Sequence, residues 1–202
     1  VCNEMKWPVD PVEIWEGGTN GLPLQNATTT GYYLKKYVNN TISFEAGSTV
    51  TKKQHNWVLF RYGEILLNYA EAMINAFHDP NYKDAVYNMS AREAVNQIRG
   101  RTNISLPGFP SDITEKDFVK RLKNERRVEL AFEGHRFWDV RRWKELGQTA
   151  NIYGVKITKN NEVISYEKFL LETRAVTDNM YFYPIPNTER FKNPNLGQNP
   201  GW

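Results

Sequence analysis

The residues with the most chemical potential lie in one short stretch, Asn124 to Trp143, which reads NERRVELAFEGHRFWDVRRW. Glu125, Glu129 and Glu133 recur every four residues, so on a helix they form one row. Carboxylates in pairs are the acid and base of glycoside hydrolysis, which needs two carboxyl groups facing each other across an open cleft. The same stretch carries Arg126, Arg127, Arg136, Arg141 and Arg142. Like charges four apart on a helix repel by a few tenths of a kcal/mol. A row of three acids among five arginines therefore reads first as an Arg–Glu lattice that pins helices and loops together, and only second as a catalytic pair. Glu129 lies three residues after Arg126, and Glu133 three before Arg136, so both pairs can meet. Val119, Leu122, Leu130 and Phe137 share a face with Arg126. An arginine on a core-facing row calls for a buried, bidentate carboxylate partner.

Other chemistries find less support. His55, His78 and His135 are too scattered for a metal spacing, and Cys2 is the only cysteine, so neither a metal site nor an internal disulfide is expected. There is no phosphate-cradling glycine loop and no Gly-x-Ser-x-Gly elbow. No cofactor is implied. The net charge of +3 excludes a polybasic nucleic-acid arm. No run approaches the roughly 20 apolar residues needed to span a bilayer. Aromatic residues, at 13%, are plentiful. Trp7, Trp15, Tyr32 and Tyr33 sit among Gly, Pro, Asn and Thr, where flat rings beside Asn20, Gln25 and Asn26 could stack on and hydrogen-bond a sugar. The competing reading makes these rings lids over the helices. Trp57, Trp138 and Trp143 are expected in the core.

The elements that would position these residues are mainly helical. Residues 57–77 show apolar positions three or four apart and predict a helix, with Gly63 marking close approach of a neighbouring helix. Ser90-Ala91-Arg92-Glu93 fits a capping box and opens a second helix to about Arg101, giving an αα-hairpin. Thr114 to Asp117 starts a long helical pattern reaching about Leu146, weakened or bent at Gly134. Residues 32–38 are β-prone but short, and 147–180 lose periodicity. The Pro- and Asn-rich tail excludes a regular helix. The expected organisation is a loop-rich segment at 1–56 that can face ligand, a helical scaffold at 57–146, and an irregular C-terminal wrap at 147–202.

The runs RYGEILLNYAEAMINA, AVNQIRGRTNI, LKNERRVELAFEGHRFWDVRRW and YFYPIPNTERFKNPNLGQNPGW, in that order and preceded by GYYLKKYV, resemble the C-terminal portion of the SusD/RagB family. The resemblance implies a partial α–α superhelix of tetratricopeptide-like helical pairs with long irregular loops and little sheet. It implies a non-catalytic, outer-membrane lipoprotein of Bacteroidetes that binds oligosaccharide, or another nutrient such as peptide, at the cell surface. The expected partner is a SusC-like TonB-dependent transporter, with membrane attachment only through an N-terminal lipid anchor that this chain lacks. Glu125, Arg126, Arg127, Glu129, Glu133, Arg136, Asp139, Arg141 and Trp143 carry over as scaffold. Ligand contacts do not transfer residue by residue, leaving the loop aromatics Trp7, Trp15, Tyr32 and Tyr33 as candidates. The alternatives are a helical-repeat adaptor for a protein partner and, less favoured, a glycoside hydrolase.

Overall fold

The computed structural model describes residues 12–39, 42, 53–102 and 104–202. The chain divides into two compact units, one of residues 55–139 and one of residues 1–54 with 140–202. Among the described residues it is mostly helical, with one small two-stranded sheet.

The unit at 55–139 is built on α1 (Tyr62–Phe77), α2 (Ala91–Arg99) and α3 (Glu115–Glu129). Helix α2 begins at the predicted capping box: the Ser90 side chain accepts from the Glu93 amide while the Glu93 carboxylate accepts from the Ser90 amide. Helix α3 begins where Thr114 accepts from the Asp117 amide. The Arg92 amide donates to the Pro80 carbonyl, so α2 starts beside the end of α1 and runs back along it. Helix α3 also opposes α1, because His78 after α1 meets Glu115 at the start of α3 while Arg61 before α1 meets Glu129 at its end. Leu67, Ala70 and Ile74 of α1, Ala94, Val95 and Ile98 of α2, and Phe118 and Leu122 of α3 fill the space between. Burial of each large side chain stabilises the unit by roughly 1.5–3 kcal/mol.

Several expectations change. The first helix begins at Tyr62, not Trp57: residues 57–60 form no helix and Arg61, before the first turn, is extended. Trp57 is 84% exposed and Trp138 58% exposed, so neither is a core residue, and Trp143 is half-buried under the Arg142 guanidinium. The long helix expected to reach Leu146 is two helices, α3 and α4 (His135–Arg142). The break has a local cause. Phe132 and Gly134 both take positive φ, and the Glu129 carbonyl is taken by Arg61 Nη2 at 2.6 Å instead of a following helical amide.

The other unit holds a β-hairpin that the sequence reading missed. Strands β1 (Asn151–Asn160) and β2 (Val163–Thr173) pair antiparallel, with Asn161 at φ 55 in the two-residue turn. Its polar Lys, Thr and Glu residues mask the alternation that marks a strand. Residues 32–38 form no strand: a turn falls there, with Tyr37 at φ 68. The tail is not wholly irregular either, since α5 (Asn187–Lys192) follows Pro186. The closing Trp202 donates its indole N–H to the Asn179 and Phe182 carbonyls, and Gln198 hydrogen-bonds both the amide and the carbonyl of Ile185.

Candidate functional site

The charged row on α3 is consumed by packing. Arg126 is 4% exposed and donates Nε and Nη2 to the two carboxylate oxygens of Asp139, at 3.1 and 3.2 Å, and Nη1 to Asn68 at 2.6 Å. Glu125 accepts from Arg99 at 2.6 Å, and Arg99 also donates to the Pro107 carbonyl. Glu129 accepts from both Arg61 and Arg101, and Glu133 from Arg61 at 2.7 Å. Glu129 and Glu133 thus find guanidinium partners from before α1 and after α2, which helical spacing did not suggest. Burial disfavours the charge on Arg61, but its hydrogen bonds to Glu133 and Glu129 and their charges outweigh that cost and raise its pKa above the ordinary arginine value. At Gly63 a methyl group would come within 2.7 Å of Arg61 Nη1 and 3.2 Å of Glu129 Oε1, so the small residue leaves room for this ion pair between α1 and α3 more than for a neighbouring helix backbone. Arg127 is exposed, and Arg141 and Trp143 are half-buried. Glu129 and Glu133 each spend carboxylate oxygens on guanidinium groups, so they do not form the open carboxylate pair that hydrolysis requires.

A concave site lies elsewhere, inside the unit of residues 1–54 and 140–202. Loop residues 14–31 lie against the outer edge of β1. The Glu16 amide donates to the Ile157 carbonyl and the Val155 amide to the Thr30 carbonyl, both at 2.8 Å. Close approach depends on glycine. Gly31 has φ +75, and a Cβ there would lie 2.1 Å from the Val155 carbonyl oxygen; one on Gly154 would strike the Phe169 ring. Between loop and hairpin is a cavity of about 490 Å³. Its walls are largely apolar, with Ile14, Leu22, Val155, Ile157 and Phe169, and its polar groups include Glu16, Lys156, Glu167, Thr28 and Thr29. The size falls in the usual range for small-molecule sites, about 300–1,000 Å³.

The loop aromatics divide around this cavity. Trp7 lies outside the described residues. Trp15 is half-buried, with the Lys159 ammonium 4.6 Å from its ring centroid. Tyr32 is 62% exposed. Tyr33 is committed to the loop itself: its hydroxyl donates to the Asn20 carbonyl at 2.6 Å and accepts from the Thr28 amide. None of the three described rings lines the cavity, although Trp15 and Tyr32 each adjoin a lining residue in the chain. The lining residues escaped sequence reasoning because five of the twelve come from the missed hairpin. The alternation in Val155-Lys156-Ile157 and the glycines at 31 and 154 were the available signals.

No group of three or more potential metal ligands occurs among the described residues, and no described helix is long and apolar enough to cross a membrane. The chain is similar to two SusD-like proteins of Formosa agariphila. It is 29% identical to SusD-like protein P2 over 78% of this chain and 28% of that protein. It is 37% identical to SusD-like protein P38 over 71% of this chain and 24% of that protein. Among solved structures it resembles a SusD-like protein from Bacteroides fragilis, with a TM-score of 0.58 and 33% identity over 73% of this chain and 26% of that one. The chain thus spans about a quarter of the length of the relatives it matches. The family model described as the SusD family matches residues 8–202, and the chain belongs to that family.

Proposed function

We propose that this chain is part of a cell-surface nutrient-binding protein that captures an oligosaccharide or another nutrient and passes it to a TonB-dependent outer-membrane transporter, without catalysis. In this reading the full-length protein is held at the outer membrane by a lipid anchor. Membership of the SusD family supports this reading. The observation that carries it to a place on the chain is the loop-and-hairpin cavity of about 490 Å³. The helical unit acts as scaffold, its acids and arginines holding α1, α2 and α3 in register. Trp15 and Tyr32, each next in the chain to a cavity-lining residue, add ring contacts to the ligand.

Binding to a shallow site of this kind falls on the order of micromolar to millimolar. The test is a calorimetric screen of glycans and short peptides against the full-length protein and its Thr29→Trp variant, which places a large ring in the cavity. A ligand whose binding the substitution abolishes supports the assignment. Ligands that bind equally to both forms place the site elsewhere.

A further inference from the structure

We infer that the loop-and-hairpin cavity takes an organic cation on an aliphatic stem, the chemistry of a lysine or arginine side chain in a peptide. This rests on the binding role proposed for the same cavity and names the class of ligand. Three charged groups line it: Glu16, Lys156 and Glu167. Lys156 and Glu167 are direct cross-strand partners. The Lys156 ammonium nevertheless pairs with Glu16 across to the loop, at 3.0 Å. The Glu167 carboxylate has no hydrogen bond or ion pair among the described residues. The site therefore carries two carboxylates against one ammonium, and the second carboxylate is open to an incoming cation.

The walls fit the rest of such a ligand. Ile14, Leu22 and Ile157 are aliphatic surfaces of the kind along which a lysine stem lies while its head stays at the polar rim. Phe169 adds an aromatic ring, and a ring face attracts a cation. A sugar ring stacks best on Trp or Tyr, and neither lines this cavity. The volume exceeds one side chain and leaves room for adjoining peptide.

The experiment titrates the full-length protein with N-acetyl-Leu-Lys-Leu-amide and with the same peptide acetylated on lysine, which removes the charge and keeps the stem. The unmodified peptide is expected to bind about fivefold more tightly, near the upper end for an ion pair of limited burial. High salt and Glu167→Gln should each shrink the difference to twofold or less, and Glu167→Lys should reverse it. Both substitutions sit at an exposed strand position, so folding is preserved. Equal affinity for the two peptides, or no binding by either, overturns the assignment. A glucosamine oligosaccharide that binds through Glu167 when the peptide does not also overturns it, in favour of an amino sugar. Neutral oligosaccharide binding that Thr29→Trp abolishes discards the cation preference and keeps the nutrient-binding role. If Thr29→Trp alters the binding of no ligand, the role of the cavity itself fails.

Discussion

Arg126 and Asp139 lock α3 to α4 through a two-point guanidinium–carboxylate pair in which both residues are only 4% exposed. Removing Asp139 leaves the buried Arg126 guanidinium with the Asn68 side-chain oxygen and a more distant carboxylate, Glu71 at 3.9 Å. Asp139→Ala is expected to destabilise the protein by about 3–5 kcal/mol in urea denaturation. The double substitution Arg126→Met with Asp139→Leu removes both charges together and should recover most of that loss. If it recovers nothing, the pair contributes more than mutual neutralisation.

Arg61 and Arg101 both reach Glu129, but only Arg61 also holds Glu133 and the Glu129 carbonyl. Arg61 is 25% exposed and Arg101 45%. Arg61→Ala should therefore cost about 2 kcal/mol, in the range for hydrogen bonds to charged groups. Arg101→Ala should cost less than about 1 kcal/mol. Equal losses in thermal denaturation would contradict the division of labour described above.

The capping box of α2 gives a pH signature. The Lys83 side chain and then the Ser90 amide hold the Glu93 carboxyl below the ordinary glutamate range. A group with a lowered folded pKa stabilises the fold above its unfolded pKa, and that contribution disappears as pH falls through the folded value. Acid titration of stability should show this loss below the ordinary glutamate pKa. Glu93→Gln can still cap and should flatten that limb; Ser90→Ala should remove about 1 kcal/mol at neutral pH. An unchanged acid limb in Glu93→Gln would rule the mechanism out.

Gly31 lets the cavity loop pack closely against β1 at Val155. Gly31→Ala meets both a positive φ and the Val155 carbonyl, so the loop must move off the strand. The expected cost is about 1–3 kcal/mol, with faster amide exchange at Val155, whose N–H loses the Thr30 carbonyl. Normal protection of that amide in the variant would refute the account.

Tyr33 and Tyr32 should separate structure from binding. Tyr33→Phe loses the hydrogen bond to the Asn20 carbonyl and should cost about 1 kcal/mol of stability. Tyr32→Ala, at an exposed ring, should leave stability within about 0.5 kcal/mol of the parent protein. A ligand-affinity loss confined to Tyr32→Ala or Trp15→Ala would place those rings at the site; unchanged affinity in both would remove them from it.

Sequence alone determined the features whose causes are local or periodic. The Ser90–Glu93 box, the Thr114 cap and the apolar stripe of α1 each depend on residues within a turn or two of one another, so spacing suffices to read them. The need for a carboxylate opposite Arg126 was legible for the same reason: an arginine on a core-facing row must be neutralised. Its partner was not legible, because Asp139 reaches it only after the chain breaks at Phe132 and Gly134. The partners of Glu129 and Glu133 come from across the unit, and helical spacing carries no information about such distant pairs. The exposure of Trp57 follows from where α1 begins, which composition did not reveal. The cavity is the clearest case. Its lining comes from Ile14 to Gly31 and from Val155 to Phe169. More than a hundred residues separate these segments, and tertiary contacts such as the strand-edge hydrogen bonds at Val155 and Ile157 and the Lys156–Glu16 pair bring them together.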